Sequence, residues 1–185
     1  MGTAGNKRER LIDAANMLIY SQGFHRTTLA DIAKESGVPL GNVYYYFKTK
    51  EDICAVVIER RKQDIKEIFN GCCKENDPKS NLKRFMKFFM MNGKDIVQYG
   101  CPVGSLCQEL DKMPSRLTDR ADSCMHDLLG WTNKQFRALG YKNSYEMAFE
   151  LIARIQGIML LGHALRDQKH IKKQLRSTCE WIDSL

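Results

Sequence analysis

The chain has 185 residues, of which 43% are hydrophobic, and it carries a formal net charge of +7. This length and apolar content exclude a globally disordered chain, and the longest apolar stretches, such as residues 155–162, are too short to span a bilayer. Residues 1–64 carry ten Lys or Arg against eight Asp or Glu, so bulk charge alone does not identify nucleic acid as a partner. Helix-favouring residues dominate and strand patterns are scarce, which predicts an all-α protein of about nine helices.

The first forty residues carry the pattern of two short helices. Apolar residues recur at helical spacing between positions 11 and 19. Gly23 is placed to end this helix, because glycine enters the left-handed conformation without a steric penalty. Thr28 and Asp31 have the spacing of a capping box, in which the hydroxyl and the carboxylate each accept a hydrogen bond from a backbone amide. The box predicts the start of a second helix, which Gly37 ends.

A third short helix and a long fourth helix follow. In the third, over residues 39–47, Val43 and Phe47 lie four positions apart and are expected to point into the core together. Thr49 and Asp52 form a second capping box, which opens a long helix extending to residue 72. Two short helices joined by a glycine-containing turn, the second rich in polar and aromatic groups, are typical of a helix-turn-helix.

Longer helices are expected in the rest of the chain. Asp77, followed by proline, starts a helix that Gly100 interrupts, and Pro102 and Pro114 start two more. Apolar spacing predicts two final helices, over residues 144–166 and 168–184. The sequence contains no repeat and no flexible linker, so we expect the two parts of the protein to share the long fourth helix.

Residues 7–58 resemble the DNA-binding region of the tetracycline-repressor (TetR) family. The resemblance rests on Thr27–Val38 (TTLADIAKESGV) and on Gly41–Asp52 (GNVYYYFKTKED), and it covers about a third of the chain. It implies a DNA-binding domain over residues 1–50, with its motif at about 27–47 and an extension to about 64. Residues 51–185 would then form the effector-binding and dimerisation domain. The function implied is that of a homodimeric repressor that a small hydrophobic effector releases from palindromic double-stranded operator DNA.

The same resemblance implies which residues contact DNA. They lie at the start of the second helix, along the third, and at the start of the fourth: Thr27, Thr28, Leu40, Gly41, Asn42, Tyr44, Tyr45, Tyr46, Lys48 and Lys50. The threonines would lie near phosphate, and Leu40, Gly41, Asn42 and Tyr44 would face the groove. The later tyrosines and the lysines would contact the sugar-phosphate backbone. Three consecutive tyrosines on a helix cannot all enter one small core, so at least one is expected to be exposed.

The resemblance also implies that residues 144–184 form a four-helix bundle with a second copy. Gly157 and Gly162 would allow close approach of the helices, although an ordinary intramolecular core explains the same apolar faces. An effector pocket is expected between the helices that start at residues 78, 102, 114 and 144, lined by aromatic, methionine and other apolar groups. Its predicted walls are Phe85, Phe88, Phe89, Met90, Tyr99, Cys101, Met125, Leu128, Trp131 and Met159. For each of these residues, simple core packing is the alternative.

The seven cysteines lack the tight Cys/His spacing of a zinc site, and no signal-peptide pattern precedes them, so we expect no metal and reduced thiols in a cytoplasmic protein. Residues 99–106 resemble a Gly-Cys stretch of one large TetR subgroup, some members of which respond to electrophiles, unsaturated small molecules or oxidants. Cys101 precedes Pro102 at an expected helix start, which favours a thiolate and predicts that it is the most reactive thiol, whereas the other six cysteines are expected within helices. The alternative is a cysteine that packs under the effector pocket.

Two other classes of function agree less well with the sequence. An enzyme is not expected, because the sequence contains no activated nucleophile, phosphate loop or paired carboxylates, and its four histidines are scattered. No cofactor is expected either. An architectural DNA-binding protein without ligand control needs only a DNA anchor, whereas the C-terminal part here is long and rich in Phe and Met. A sequence-specific regulator is therefore favoured over both.

Overall fold

The computed structural model describes residues 4–73, 77–112 and 115–185, with side chains from residue 7 onward. These residues form ten α-helices and no strand, which confirms the all-α fold class. The helices are α1 (Ala4–Gln22), α2 (Leu29–Ser36), α3 (Leu40–Tyr46), α4 (Lys50–Cys72), α5 (Pro78–Met91), α6 (Gly93–Tyr99), α7 (Pro102–Asp111), α8 (Thr118–Ala138), α9 (Ser144–Ala164) and α10 (Gln168–Ser184).

Both capping boxes form as the sequence predicts. The Thr28 hydroxyl oxygen accepts from the Asp31 amide at 3.1 Å, and the Asp31 carboxylate accepts from the Thr28 amide at 2.9 Å. Thr49 and Asp52 exchange the same pair of bonds, at 3.1 and 3.0 Å, immediately before and within the first turn of α4. Hydrogen bonds from the Thr28 hydroxyl and amide lower the pKa of Asp31.

One helix of the sequence interpretation is two helices in the structure. The pattern predicted a single helix from residue 78 to Gly100, whereas α5 ends at Met91 and α6 begins at Gly93. Asn92 lies between them, and its side-chain amide donates to the Phe88 carbonyl at 2.8 Å. A short amide side chain that bonds the local backbone competes with helix propagation, which accounts for the break and for ten helices rather than about nine. Pro114, expected to open the next helix, lies outside the described residues.

The helices form two compact units that do not follow chain order. The first combines the residues up to Arg61 with Pro102–Ser123, and the second combines Lys62–Cys101 with Cys124–Leu185. Helix α4 therefore contributes to both units, and α7 belongs with the helix-turn-helix. The fully buried side chains of the first unit include Leu11, Ile32, Ile53, Ile58, Leu110 and Leu117, and those of the second include Leu82, Phe85, Met86, Phe136, Leu151 and Ile155. No helix in the described part of the chain is long and apolar enough to cross a membrane.

Candidate nucleic-acid interface

Helices α2 and α3 pack within the first unit through buried apolar side chains. Ile32, Val43 and Phe47 are buried, so the inward orientation expected for Val43 and Phe47 is confirmed. Gly37 joins the two helices at φ +63°, a left-handed conformation that side chains other than glycine rarely adopt, and its amide donates to the last carbonyls of α2. The turn and the buried face together fix the direction of α3.

The opposite face of α3 presents its side chains to solvent. Leu40, Gly41, Tyr44 and Tyr45 are exposed, and Tyr45 retains 78% of its accessible surface. Asn42 and Tyr46 are half-buried, and the Tyr46 ring lies edge-on to that of Tyr45, 5.0 Å away. Hydroxyl, amide and aromatic groups on one exposed helix face are able to contact base edges and backbone sugars in the major groove.

The two threonines before α2 differ in position. Thr28 is exposed at the N-cap, beside the first amides of α2, where a phosphate oxygen is favourably bound. Thr27 has no exposed surface, and its hydroxyl donates to the Gly23 carbonyl at 2.7 Å. Of the two threonines, Thr28 therefore has the more accessible hydroxyl for a phosphate contact, whereas the hydroxyl of Thr27 is bonded within the preceding loop.

The two predicted lysines also differ. Lys48 is exposed and donates only to the Tyr44 carbonyl, at 2.8 Å, among the contacts of the described residues. Lys50 is half-buried, and its ammonium donates to the carbonyls of Phe24 and His25 at 2.8 and 3.2 Å. Lys48 is thus the freer candidate for a phosphate contact, because Lys50 is already bound within the protein.

Two residues that hold this unit together were not identified from the sequence. The Glu109 carboxylate on α7 accepts hydrogen bonds from the amides of Phe24 and His25, both at 2.8 Å. Arg61 on α4 is 6% exposed and donates to the Pro102 carbonyl at 2.6 Å. Neither lies in a local motif. Arg61 stands within the charged run of residues 59–64 (ERRKQD), so no sequence pattern marks it as a buried residue.

The predicted effector-binding residues all lie in the second unit, where several of them form an aromatic cluster. Trp131 stacks on Phe69 at 4.7 Å between ring centroids and lies 5.3 Å from Phe85. Phe89 contacts both Phe85 and Phe88 edge-on, at 4.9 and 5.5 Å. The half-buried members of the predicted set are Phe88, Phe89, Met90, Tyr99, Cys101, Met125 and Trp131, whereas Phe85, Leu128 and Met159 are buried. The buried members act as core, and the half-buried ones retain surface that a ligand can cover.

The cysteines fall into distinct environments. Burial raises the pKa of Cys54 to about 12 and that of Cys72 to about 11, which keeps these thiols protonated and unreactive. Burial also raises the pKa of Cys179. Cys101 is half-buried directly before α7. Cys73 is exposed just beyond the end of α4, so the expectation that every cysteine except Cys101 lies within a helix is wrong at this position.

Helix α9 carries a row of large apolar side chains on its exposed face. They recur at helical spacing and comprise Tyr145, Phe149, Leu160, Leu161 and Leu165, the last at the helix C-cap. Gly157 has open space where a side chain would project. At Gly162, by contrast, the Ile171 side chain of α10 fills that space, so this glycine serves packing within the chain.

The chain is similar in sequence to known bacterial transcriptional regulators. The sequence model described as "Bacterial regulatory proteins, tetR family" matches residues 11–57. The chain is 30% identical over 168 residues to an uncharacterized HTH-type transcriptional regulator in the lacX 3′ region of Lactococcus lactis subsp. lactis, covering 88% of this chain and 86% of that protein. It is 29% identical over 165 residues to the HTH-type transcriptional regulator LmrA of Bacillus subtilis (strain 168), covering 85% and 87% respectively.

Solved structures share the fold over the whole chain. A TetR transcriptional regulator from Legionella pneumophila aligns with a TM-score of 0.85 at 21% identity, covering all 100% of this chain and 98% of that one. SCO4454, a TetR-family regulator from Streptomyces coelicolor, aligns with a TM-score of 0.86 at 15% identity, covering 96% and 94%. At these identities the likeness concerns the fold.

Proposed function

This chain belongs to the tetR family of bacterial regulatory proteins and is a DNA-binding transcriptional regulator rather than an enzyme, and we propose that it acts as a homodimeric repressor released from a palindromic operator by a small hydrophobic effector. The observation that carries the proposal is the contrast between the two faces of α3. One face is anchored by buried Val43 and Phe47, and the other offers Tyr44 and Tyr45 to solvent. Such a helix is held to the protein on one side and is free to contact base edges on the other.

In the proposed complex, α3 lies in the major groove with Leu40, Gly41, Asn42 and Tyr44 toward the bases. Residues on either side hold the phosphates and sugars, which positions the helix without contributing to sequence preference. These backbone contacts come from Thr28, Tyr45, Tyr46 and Lys48, with Lys50 supporting the loop behind them. Genomic fragment selection followed by footprinting tests the assignment, and protection of unrelated sequences with equal affinity would contradict it.

Dimerisation through α9 and α10 is proposed from the exposed apolar row of α9. Exposed large apolar patches on a single chain mark interaction surfaces, and a second copy of the same chain is the occupant that the family implies. A concavity of about 350 Å³ at this row is lined by Leu161, Leu165 and Ile171, and a side chain of the partner can be buried in it. In such a dimer the two helix-turn-helix motifs are related by a two-fold axis and contact successive major grooves, roughly 34–36 Å apart.

The effector is proposed to bind in the second unit against the half-buried groups of the aromatic cluster. Trp131, Phe89, Met125 and Tyr99 are all half-buried, and polarizable and aromatic side chains suit a hydrophobic ligand of adaptable shape. Release of DNA requires that the effector bind the DNA-incompetent state more tightly than the competent one. Screening hydrophobic compounds for quenching of Trp131 fluorescence and for loss of operator binding tests both parts, with Trp131→Phe as the control for the optical signal.

A second candidate mechanism is electrophile or oxidant sensing through Cys101, as the Gly-Cys resemblance suggests. The supporting observation is its half-buried position directly before α7, in contrast to the buried thiols of Cys54 and Cys72. Limiting alkylation followed by mass spectrometry, with and without operator DNA, tests this mechanism. The hypothesis requires Cys101 to label at least as fast as the exposed Cys73, and Cys101→Ser to abolish the response while Cys73→Ser retains it.

A further inference from the structure

The loop between α1 and α2 is bound from both sides of its backbone. On the amide side, the two carboxylate oxygens of Glu109 each accept one hydrogen bond, from Phe24 and from His25. On the carbonyl side, the Lys50 ammonium donates to the same two residues and lies 4.4 Å from the centroid of the Phe24 ring. Two consecutive residues of the loop are thus held by a fixed negative charge and a fixed positive charge.

Gly23 is the position that makes this arrangement possible. Its φ is +90°, and a Cβ at this residue would lie 2.8 Å from one Glu109 carboxylate oxygen and 3.0 Å from the other. Any side chain would therefore strain the backbone and displace the carboxylate as well. The absence of a side chain at Gly23 therefore leaves the space in which the Glu109 carboxylate of α7 contacts the loop.

Helix α7 is itself fixed to the same unit at its other end. The Arg61 guanidinium donates from Nη1 to the Pro102 carbonyl at 2.6 Å and from Nε to the Asn16 side chain at 3.1 Å. Leu106 and Leu110 of the same helix are buried. Glu109 is therefore presented to the loop from a helix that is anchored independently of it.

We propose that Glu109 is a positioning residue for operator binding. By fixing the amides of Phe24 and His25, it sets the loop that leads directly to buried Thr27 and to the Thr28 cap of α2. Loss of the carboxylate leaves these two amides without their charged acceptor, so the loop populates other conformations. The apparent affinity for DNA then decreases in proportion to the fraction of molecules whose loop keeps the binding-competent conformation. The proposal rests on the placement of α2 and α3 against DNA described above.

The charge of Glu109 makes the test specific. Removing an acidic group from a DNA-binding protein should by itself tighten binding, because repulsion from phosphate is reduced. Asp111→Asn removes the same charge from an exposed residue of the same helix, and we expect unchanged or slightly tighter operator binding. Glu109→Gln is expected to change binding in the opposite direction, weakening it roughly ten-fold. Equal or tighter binding by Glu109→Gln would overturn the proposal.

Amide hydrogen exchange of the free protein supplies the second readout. In Glu109→Gln the amides of Phe24 and His25 should exchange about ten-fold faster than in the wild type, while those in the middle of α4 remain unchanged. Weakened binding with unchanged exchange at these two amides would also overturn the proposal. Should Glu109→Gln fail to fold, Glu109→Asp keeps the charge on a shorter side chain, and the same two measurements apply to it. If the wild type shows no operator preference, the proposed function fails, whereas the exchange result still decides whether Glu109 holds the loop.

Discussion

Replacing Phe149 by alanine should dissociate the proposed dimer without unfolding the chain. Phe149 belongs to the apolar row of α9, in the second turn of the helix, and retains 58% of its accessible surface in the isolated chain. Because the side chain contributes little to the core of its own subunit, its removal should leave the monomer folded. The two-fold axis means that one substitution removes two contacts from each dimer.

The size of the effect follows from the exposed area. A phenylalanine offers about 150–250 Å² in all, so about 100 Å² of Phe149 remains for a partner to cover. At about 25 cal/mol per Å², each copy contributes up to about 2.5 kcal/mol, or about 5 kcal/mol per dimer. A loss of about 5 kcal/mol raises the dimer dissociation constant by between three and four orders of magnitude.

Sedimentation velocity over nanomolar to micromolar concentrations measures this constant directly. Met91→Ala is the matched control, because Met91 is 85% exposed but lies on α5, outside the apolar row. We expect the control to dimerise like the wild type and Phe149→Ala to sediment as a folded monomer. If the dissociation constant of Phe149→Ala rises by no more than a factor of about three, far less than the calculated increase, the assignment of this face to the dimer is refuted.

Three further outcomes are expected. Lys48→Ala should weaken binding to all DNA sequences alike and reduce the dependence on salt by about one phosphate, as measured by titrations at several salt concentrations; an unchanged slope would remove Lys48 from the interface. Asn42→Ala should instead change which bases are preferred in a selection from random sequences. An unchanged preference would show that the proposed orientation of α3 in the groove is wrong. The pKa of Asp31 is lowered by its bonds to Thr28, so the stability it contributes is present above its unfolded pKa and is lost as the pH falls through the lower folded value. Thermal unfolding between pH 5 and 2 should therefore show a weaker acid dependence for Asp31→Asn, and parallel curves for the two proteins would contradict this.

The features that the sequence predicted correctly are local ones. A capping box places both of its residues within one helical turn, so Thr28 and Asp31 identify the start of α2 without knowledge of the rest of the fold. Gly37 and the inward pair of Val43 and Phe47 depend on the same short range. These few signals fix the helix-turn-helix, and family resemblance supplies its role.

The features that the sequence did not predict depend on contacts between distant residues. Glu109 lies 85 positions from Phe24, and nothing near it in the chain indicates that its carboxylate binds a loop. Thr27 fits a phosphate-binding position by pattern, yet its hydroxyl bonds to the Gly23 carbonyl and is buried. Asn92 ends a helix through a bond of its own side chain, which helical spacing does not reveal.

The measurement that tests the central claim most directly is selection of bound fragments from the source genome, followed by native mass spectrometry of the complex with the selected DNA. A two-fold repressor predicts fragments that share an inverted repeat, with half-sites about one helical turn or slightly more apart. It also predicts two or a higher even number of chains on each site, with dissociation from DNA when an effector binds. Fragments without a repeat, or a single chain bound to one half-site at saturation, would contradict the account.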